Sequence, residues 1–261
     1  MEALGELCLP TSFLETSIIA TRLLKSARSI EGDKVLHAIA NDGARVAVAG
    51  LDPELRGDVS ARCTDKDWTI SGTAKIVLDA HDATSFIVIA THDGTPMMLL
   101  LREGQNFEHR NFPTIDGRSA ADIIFQKTPA ILIAKDATAL IANVTDEAIA
   151  CLAVEAAALM QRLVRDTVDY AKQREQFGQQ IASFQVVQHR LVDMNIQARR
   201  AGAIARRAMA MLPGSELERA RAISAAKVTI AQAGRYIGQQ AVQLHGGIGM
   251  SAELPIGRYF K

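Results

Sequence analysis

Residues 170–178 read Tyr-Ala-Lys-Gln-Arg-Glu-Gln-Phe-Gly and stand where a long helical pattern gives way to a turn. Arg174 supplies a planar guanidinium, which suits a pair of phosphate oxygens. Phe177 offers a flat ring that can wall a ligand's ring system, and Gly178 permits the sharp turn that ends the helix. The residues alone favour a simpler interpretation, a helix C-terminus with a surface arginine and a packed phenylalanine.

A second segment, residues 243–250, reads Gln-Leu-His-Gly-Gly-Ile-Gly-Met at the end of another helical pattern. Its glycines let a backbone approach a ligand closely and expose its N–H groups. Gln243 can hydrogen-bond an amide or carbonyl edge. A glycine-rich helix stop is the alternative, because a lone glycine cluster is a weak signal.

Both segments belong to a C-terminal region whose apolar residues recur at helical spacing. Leu152 and Leu217 are among the residues predicted to face inward. Long helices with short connections pack as antiparallel neighbours in a bundle. The pattern predicts three helices of about 28 residues, or about 40 Å each, near Asp146–Gln173, Phe184–Leu212 and Glu216–Leu244.

The N-terminal part shows two other patterns. Helical spacing predicts one amphipathic helix from Pro10 to about Ser29 and a short one near Val35–Ile39. From about Arg45 to Ile133, short β-rich runs alternate with turn formers such as Ser71-Gly72, Asp93-Gly94 and Asp116-Gly117. The runs leave no room for crossover helices, so an antiparallel barrel or sandwich is predicted.

The predicted fold class is therefore α+β. A short helical N-terminal segment (residues 1–44) precedes an antiparallel β-barrel or sandwich (45–135) and a C-terminal antiparallel bundle of long helices (136–261).

Composition argues against several function classes. Lys+Arg and Asp+Glu both number 29, which leaves no net field to attract nucleic acid or an anionic membrane. The most apolar run, Met97–Leu101, is too short to span a bilayer, and no basic segment precedes an apolar run as in a signal peptide. The 3 cysteines are widely separated without zinc-like spacing, so no metal site and a cytoplasmic location are expected.

The two C-terminal segments and their surroundings resemble the acyl-CoA dehydrogenase family. The similarity is carried by Y-A-K-x-R-x-Q-F-G-x-x-I-x-x-F-Q-x-V-Q-H from Tyr170 and by Q-L-H-G-G-I-G-M-x-x-E-L-P-I-G-R-Y from Gln243. Trp68–Gly72 and Asp79-Ala80 are similar to the family's β-domain strands, and Phe112–Phe125 fits the strand that leads into its bundle.

That resemblance implies a helical N-terminal domain, a β-barrel and a four-helix bundle that bind FAD and an acyl-CoA. A carboxylate removes the α proton of the thioester while a hydride passes from the β-carbon to the flavin. The implied cofactor-binding residues serve a flavin housed mainly by a neighbouring subunit. Arg174 would contact the FAD pyrophosphate, Gln176 and Phe177 the adenosine side, and Gln243, Gly246 and Gly247 would hold the dinucleotide.

The chain departs from the family pattern at its N-terminus and near the expected flavin ring. The part before Arg45 is less than half the family's usual helical domain. Leu51–Gly57 stands where the family carries a T-E-P-x-x-G-S-D-like run, and Lys75–Asp79 replaces K-x-W-I-T. The hydroxyl and aromatic groups expected beside the flavin are missing from both runs.

The catalytic base is not identified by the resemblance. One family location lies in a fourth bundle helix, beyond Lys261, and the other aligns with Ala148. Glu147 and Glu155 are nearby candidates, although a helical glutamate is more often a solvated surface residue. A catalytic carboxylate needs a raised pKa and a defined pose.

The matches and departures together resemble one subunit type of the α2β2 acyl-CoA dehydrogenases that act on steroid side chains. This type lends bundle motifs to a partner that holds the flavin ring and the base. An acyl-CoA substrate, a second subunit, a role in lipid or steroid degradation and an obligate oligomer are then expected. A self-sufficient homo-oligomeric acyl-CoA dehydrogenase and a non-enzymatic structural subunit without flavin contact are the alternatives.

Overall fold

The computed structural model describes residues 1–65, 67–102, 104, 107–251 and 256–260. The chain forms two compact units, a barrel unit (Pro10–Ala148) and a bundle unit (Met1–Leu9 with Ile149–Lys261). A sheet-rich middle and a helical C-terminal part confirm the predicted α+β class, while the boundaries at residues 44 and 135 stay a prediction. The helices are α1 (Glu2–Leu7), α2 (Thr21–Ala27), α3 (Ile30–Asp42), α4 (Thr138–Gln173), α5 (Gln185–Met211), α6 (Glu216–His245) and α7 (Ile256–Phe260).

The described strands of the barrel unit form a closed ring. In that ring β4 pairs with β5, β5 with β7, β7 with β3, β3 with β2, and β2 again with β4. The closing contact is short, a parallel pair of Ser60 and Thr91. The strands are β1 (Val46–Ala49), β2 (Ser60–Thr64), β3 (Asp67–Leu78), β4 (Ser85–His92), β5 (Thr95–Arg102), β6 (Phe107–Pro113) and β7 (Ser119–Ala134).

The pairings in this ring other than that of β2 with β4 are antiparallel, as predicted. Strand β1 lies outside the ring and runs parallel to β4. The connection from β1 to β4 passes through β2 and β3, so no crossover helix is needed. Apolar side chains from alternate positions fill the inside of the ring, among them Ile70, Val88, Leu99 and Ile123.

Two of the three predicted turns are present and one is wrong. Asp93 and Gly94 join β4 to β5, and Asp116 and Gly117 lie between β6 and β7. Ser71-Gly72 instead lies inside β3, where the pairing with β7 shifts register between Ile70 and Gly72. Gly72 has φ 120°, and a Cβ there would lie 2.6 Å from the carbonyl oxygen of Asp58. Glycine is needed at this position because the Asp58 backbone lies close to it, and not because the chain turns there.

The predicted N-terminal helices are present with different bounds. A π-helix over Phe13–Ala20 runs directly into α2, so the helix expected from Pro10 to Ser29 is shorter and begins with wide turns. The short helix expected near Val35–Ile39 is the longer α3, which the Ser29 hydroxyl caps by accepting from the Gly32 N–H at 3.0 Å.

The first long helix also begins earlier than predicted. Helix α4 spans 36 residues and starts at Thr138 rather than near Asp146. The Asp136 carboxylate accepts a hydrogen bond from the Thr138 N–H at 2.9 Å, which caps the helix start. In α6 the Ser215 side chain and Glu218 form a capping box.

The core of the bundle unit is built largely from alanine. Ala153 and Ala157 of α4, Ala201 of α5 and Ala233 of α6 are buried together with larger residues such as Leu163. Leu152 and Leu217, which were expected to face inward, are 48% and 60% exposed. Alanine has a small side chain and lets two helices pack closely. The alanines of each helix therefore face the neighbouring helices, and the leucines beside them face solvent.

Candidate functional site

The segment after α4 is a hairpin rather than a simple helix stop. Helix α4 ends at Gln173, before Gly178, and the two-residue strands β8 (Glu175–Gln176) and β9 (Gln179–Gln180) pair antiparallel. Phe177 and Gly178 occupy the turn with φ 55° and 78°, the backbone that a tight two-residue hairpin requires. The N–H of Ile181 donates to the Arg174 carbonyl at 2.8 Å and closes the hairpin.

Phe177 stands at the tip of this hairpin. It is 92% exposed, and its ring forms a T-shaped contact with the ring of Phe184, at a centroid distance of 6.3 Å. A positive φ is uncommon for a phenylalanine and costs backbone energy. A large apolar ring held exposed in such a backbone is a candidate contact for another molecule.

The glycine-rich segment begins where α6 ends. Gly246 has φ 67° and ψ −148°, a backbone that only glycine adopts readily. Its N–H donates to the carbonyls of Gln243 and Val242. The prediction that these glycines expose their N–H groups is therefore wrong for Gly246, because capping the helix end uses that donor.

Tyr170 and His245 join the ends of α4 and α6. Their rings stack with centroids 4.1 Å apart at 24°, and the Tyr170 hydroxyl donates to the His245 carbonyl at 3.4 Å. The Nδ1 of His245 lies 2.8 Å from the Ala241 carbonyl, so Nδ1 carries the proton and donates. Burial lowers the pKa of His245, against the opposing effect of this hydrogen bond.

The two segments share one open groove of about 340 Å³. This hairpin groove brings together five of the six predicted cofactor-binding residues, from positions that lie far apart in the sequence. Phe177 stands outside it, at the hairpin tip. The groove is lined by Arg174, Gln176, Gln243, Gly246 and Gly247, with Tyr170, Ile181, Leu244, His245 and Ile248.

The groove has the composition expected for the dinucleotide part of FAD. The Arg174 side chain is exposed and has no hydrogen bond or ion pair within the described part of the chain. A Cβ added at Gly246 or Gly247 would meet nothing within 4 Å, so the backbone there is open to a close ligand. An unpaired guanidinium beside open backbone suits a pyrophosphate.

Sequence reasoning missed Tyr170 and His245 as parts of this site. Both stand inside the quoted segments, Tyr170 about one turn before the hairpin and His245 immediately before the glycines. Their pairing depends on how α4 and α6 end against each other, which no local pattern encodes. Part of the second motif, residues 252–255, lies outside the described residues.

Neither candidate base lies in the groove. The Glu147 carboxylate forms an ion pair with the Arg22 side chain at 2.8 Å in the barrel unit. Glu155 is half-buried in the bundle unit, where α1 crosses α4 and Gly5 lies against the Glu155 carbonyl. The assignment of a base to Glu147 or Glu155 stays a prediction.

The loop before β2 contains residues 51–57, which the resemblance aligns with the family's flavin-facing run. The Leu55 carbonyl accepts from the Lys75 N–H at 3.0 Å, and the Asp58 carboxylate accepts from the Thr73 N–H at 2.7 Å. A Cβ added at Gly57 would lie 2.2 Å from the Thr73 carbonyl oxygen, so the loop lies directly on β3. These polar groups are satisfied within the barrel unit.

In the described part of the chain there is neither a metal-binding cluster nor a membrane-spanning helix. No set of three or more His, Cys, Asp and Glu side chains there is placed to hold a metal ion. No helix in that part of the chain has the length and apolar character needed to cross a membrane.

Comparison with known proteins extends these observations. The family profile described as "Acyl-CoA dehydrogenase, C-terminal domain" matches residues 139–261. The chain is 41% identical over 91 residues to 3-sulfinopropanoyl-CoA desulfinase of Paraburkholderia xenovorans (strain LB400), which covers 35% of this chain and 23% of that protein. It is 26% identical over 262 residues to acyl-CoA dehydrogenase IpdE2 of Mycolicibacterium smegmatis, which covers 100% of this chain and 70% of that protein.

The fold is shared with solved structures. The chain superposes on a chain of the ChsE4-ChsE5 complex from Mycobacterium tuberculosis with a TM-score of 0.85 at 22% identity, covering 99% of this chain and 71% of that chain. It therefore spans only part of the length of each of these relatives. Residues 139–261 thus match the acyl-CoA dehydrogenase C-terminal domain, and the chain as a whole is similar in sequence and in fold to acyl-CoA dehydrogenases.

Proposed function

We propose that this chain is a subunit of an FAD-dependent acyl-CoA dehydrogenase and that it completes an FAD site whose flavin ring a partner subunit houses. One observation carries the proposal. The hairpin groove joins Arg174 and Gln176 to Gln243, Gly246 and Gly247, and it leaves the guanidinium unpaired and the glycine backbone open. Such a groove suits the pyrophosphate and adenosine of FAD.

Each residue has a role under this proposal. Arg174 binds pyrophosphate oxygens through its planar fork, while Gln176 and the exposed ring of Phe177 meet the adenosine side. Gln243 hydrogen-bonds the dinucleotide, and Gly246 and Gly247 let it approach the backbone closely. When bound, the flavin accepts the hydride that leaves the β-carbon of an acyl-CoA thioester.

Features of the barrel unit support an FAD site that is built from two different subunits. Its loop over residues 51–57 hydrogen-bonds to β3 instead of presenting hydroxyl groups, and Glu147 is already paired with Arg22. The flavin ring and the catalytic base then belong to the partner in an α2β2 assembly. The ChsE4-ChsE5 relative is itself a complex of two differently named chains. Lipid or steroid acyl-CoA is the proposed substrate class, and the cytoplasm the proposed location.

The visible absorption spectrum of the purified protein tests the proposal. The chain purified alone should be colourless, whereas its complex with a co-expressed acyl-CoA dehydrogenase subunit should be yellow and desaturate an acyl-CoA. Near-stoichiometric flavin in the lone chain would instead establish the self-sufficient homo-oligomeric enzyme. Unchanged flavin content in a complex that carries Arg174→Ala would establish a structural subunit without flavin contact.

A further inference from the structure

A second groove, separate from the hairpin groove, runs along α4 and α5 of the bundle unit. It consists of two cavities, of about 430 and 360 Å³, that share Gln161 and Arg206 in their walls. The rim of the larger cavity carries Arg165, Arg199 and Arg206 and no acidic side chain. We name this feature the arginine trough. The roles proposed above for FAD do not involve it.

The floor of the arginine trough is apolar and made of small residues. Val164, Ala198 and Ala205 are buried beneath the charged rim. A Cβ added at Gly202 would lie 3.0 Å from the Gln161 amide nitrogen and 3.5 Å from a guanidinium nitrogen of Arg206. An apolar floor under a basic rim matches an amphipathic helix that has small apolar residues on one side and acids beside them.

Helix α1 already occupies the edge of the trough in this way. Its Glu6 carboxylate forms an ion pair with Arg165 at 2.8 Å. A Cβ at Gly5 would lie 2.1 Å from the Glu155 carbonyl oxygen, so the two helix backbones are in close contact. Glu2 and Ala3 also line the smaller cavity. The trough thus accepts an acidic helix by close backbone packing and arginine–glutamate pairing.

Arg199 and Arg206 are not satisfied by α1. Within the described part of the chain neither forms an ion pair or a hydrogen bond, and both side chains are exposed. They stand seven residues apart on one face of α5, which separates their Cα atoms by about 10 Å along the axis. Glutamates seven residues apart on a facing helix have the same spacing.

We infer that the arginine trough is a docking site for an acidic helix of a partner polypeptide, which pairs with Arg199 and Arg206 as α1 pairs with Arg165. A single phosphate is a poor match, because it does not span about 10 Å. A second copy of the same trough is also a poor match, since a two-fold contact would bring the arginines of one copy against those of the other.

The test uses the full chain and a defined probe. The probe is a fluorescein-labelled, stapled helix of three heptads that repeats the glutamate and glycine spacing of α1, with a matched peptide that has lysine at each glutamate. Fluorescence anisotropy should show micromolar, salt-sensitive binding of the acidic probe only. The double variant Arg199→Glu with Arg206→Glu should weaken it at least tenfold and should bind the lysine peptide instead, which a merely misfolded variant would not do. Arg207→Glu, an exposed neighbour outside the trough, is the control and should bind like the unaltered chain.

Three results would overturn the inference. Equal binding of the acidic probe to the double variant and to the unaltered chain would remove the role of the two arginines. Displacement of the probe by inorganic phosphate at matching concentration would show that the arginine trough binds a small anion and not a helix. Self-association of the unaltered chain that is lost in the double variant would show that the arginine trough binds a second copy of this chain and not a different polypeptide.

Discussion

Arg118 of the barrel unit and Arg174 of the hairpin groove carry the same charge in opposite surroundings. The Arg118 guanidinium lies 2.7 Å from Glu15, 3.1 Å from Asp116 and 3.8 Å from Asp79, and its side chain is only 20% exposed. Arg174 is exposed and has no partner in the described part of the chain. The barrel unit uses its arginine to stabilise itself, whereas the groove leaves its arginine available to a ligand.

The contrast predicts that Arg118 supports folding far more than Arg174 does. Removing Arg118 leaves three carboxylates together, and one oxygen of Glu15 and one of Asp79 are buried without a hydrogen-bond partner even in its presence. Arg118→Met should lower the free energy of unfolding by about 3 kcal/mol near neutral pH, as for an unpaired charge left in a largely buried site. Urea denaturation measures this loss.

The pH dependence sharpens that test. Burial raises the pKa of Asp79, against the charge of Arg118, so the unfolded state releases this proton more readily than the folded state. The stabilising contribution of protonated Asp79 is therefore present at low pH and is lost as pH rises through its folded pKa. The deficit of Arg118→Met should shrink below about pH 5. Arg110→Met, which removes an exposed pair with Glu108, should cost less than about 0.5 kcal/mol.

The next effect concerns binding instead of stability. Arg174→Ala should reduce FAD affinity of the assembled enzyme at least tenfold, because a charge-assisted pair of hydrogen bonds to the pyrophosphate is lost. Its unfolding midpoint should stay unchanged, since the side chain has no partner within the described residues. Arg174→Lys should recover part of the affinity by restoring the charge without the planar fork.

Lys172→Ala is the matched control for this comparison. Lys172 is exposed in the last turn of α4 and does not line the groove. The variant should keep both its flavin and its unfolding midpoint. A lower unfolding midpoint in Arg174→Ala, with flavin affinity unchanged, would place Arg174 in the same structural class as Arg118 and contradict the comparison.

Sequence patterns predicted what depends on local chemistry. Asp93-Gly94 marks a hairpin because these residues tolerate positive φ, and the actual turn has φ 48° and 80°. The glycine after α6 marks a helix end for the same reason. The convergence of Arg174 and Gln243 could be expected only from the resemblance, since nothing local relates positions so far apart.

Patterns failed where packing decided the outcome. Gly72 has the sequence signature of a turn but lies in a strand that needs room for the Asp58 carbonyl. Leu152 looks like a core residue, yet the alanines beside it allow closer helix packing and are buried instead. Arg118, Glu15 and Asp79 come together from separate parts of the chain, and no spacing in the sequence indicates that cluster.

A smaller effect is expected at the floor of the hairpin groove. Burial lowers the pKa of His245, so between the folded and unfolded values the unfolded chain binds more protons. Stability of the bundle unit should then be full above about pH 6.5 and should fall as pH decreases through the folded pKa. His245→Phe should keep a ring stacked on Tyr170 while removing this part of the pH dependence.

Comparison of two histidine variants checks this. At pH 8, His245→Phe should cost about 1 kcal/mol, because the hydrogen bond to the Ala241 carbonyl is lost. Substitution of the exposed His189 by glutamine, a histidine outside the hairpin groove, is the matched control for the free energy of unfolding at pH 8. A profile for His245→Phe as steep as that of the unaltered chain would mean that His245 is not the titrating group.

The smallest effect separates the two regions most directly. Ile76 has φ 51° and lies 44% exposed at the bulge between Ala74 and Val77, on the strand where the family faces its flavin. A β-branched residue in this backbone is strained by about 1–2 kcal/mol. The backbone N–H of Ile76 donates to the Asp122 carboxylate at 3.0 Å. A glycine at this position keeps that N–H, so Ile76→Gly should preserve the bulge and relieve the strain.

Glycine also loses more freedom on folding, so Ile76→Gly should stabilise the barrel unit by less than about 1 kcal/mol. Ile76→Ala removes the same branched side chain but keeps the penalty of positive φ, and it should be less stable than the glycine variant. Strain of this kind persists where a ligand uses it or where the surrounding fold imposes it. If the ring of FAD belongs to the partner, relief of the strain leaves flavin content unchanged. A stabilised Ile76→Gly variant that loses flavin would mean that the barrel unit of this chain itself binds the flavin ring. The barrel unit and the hairpin groove would then both bind FAD, which contradicts the comparison.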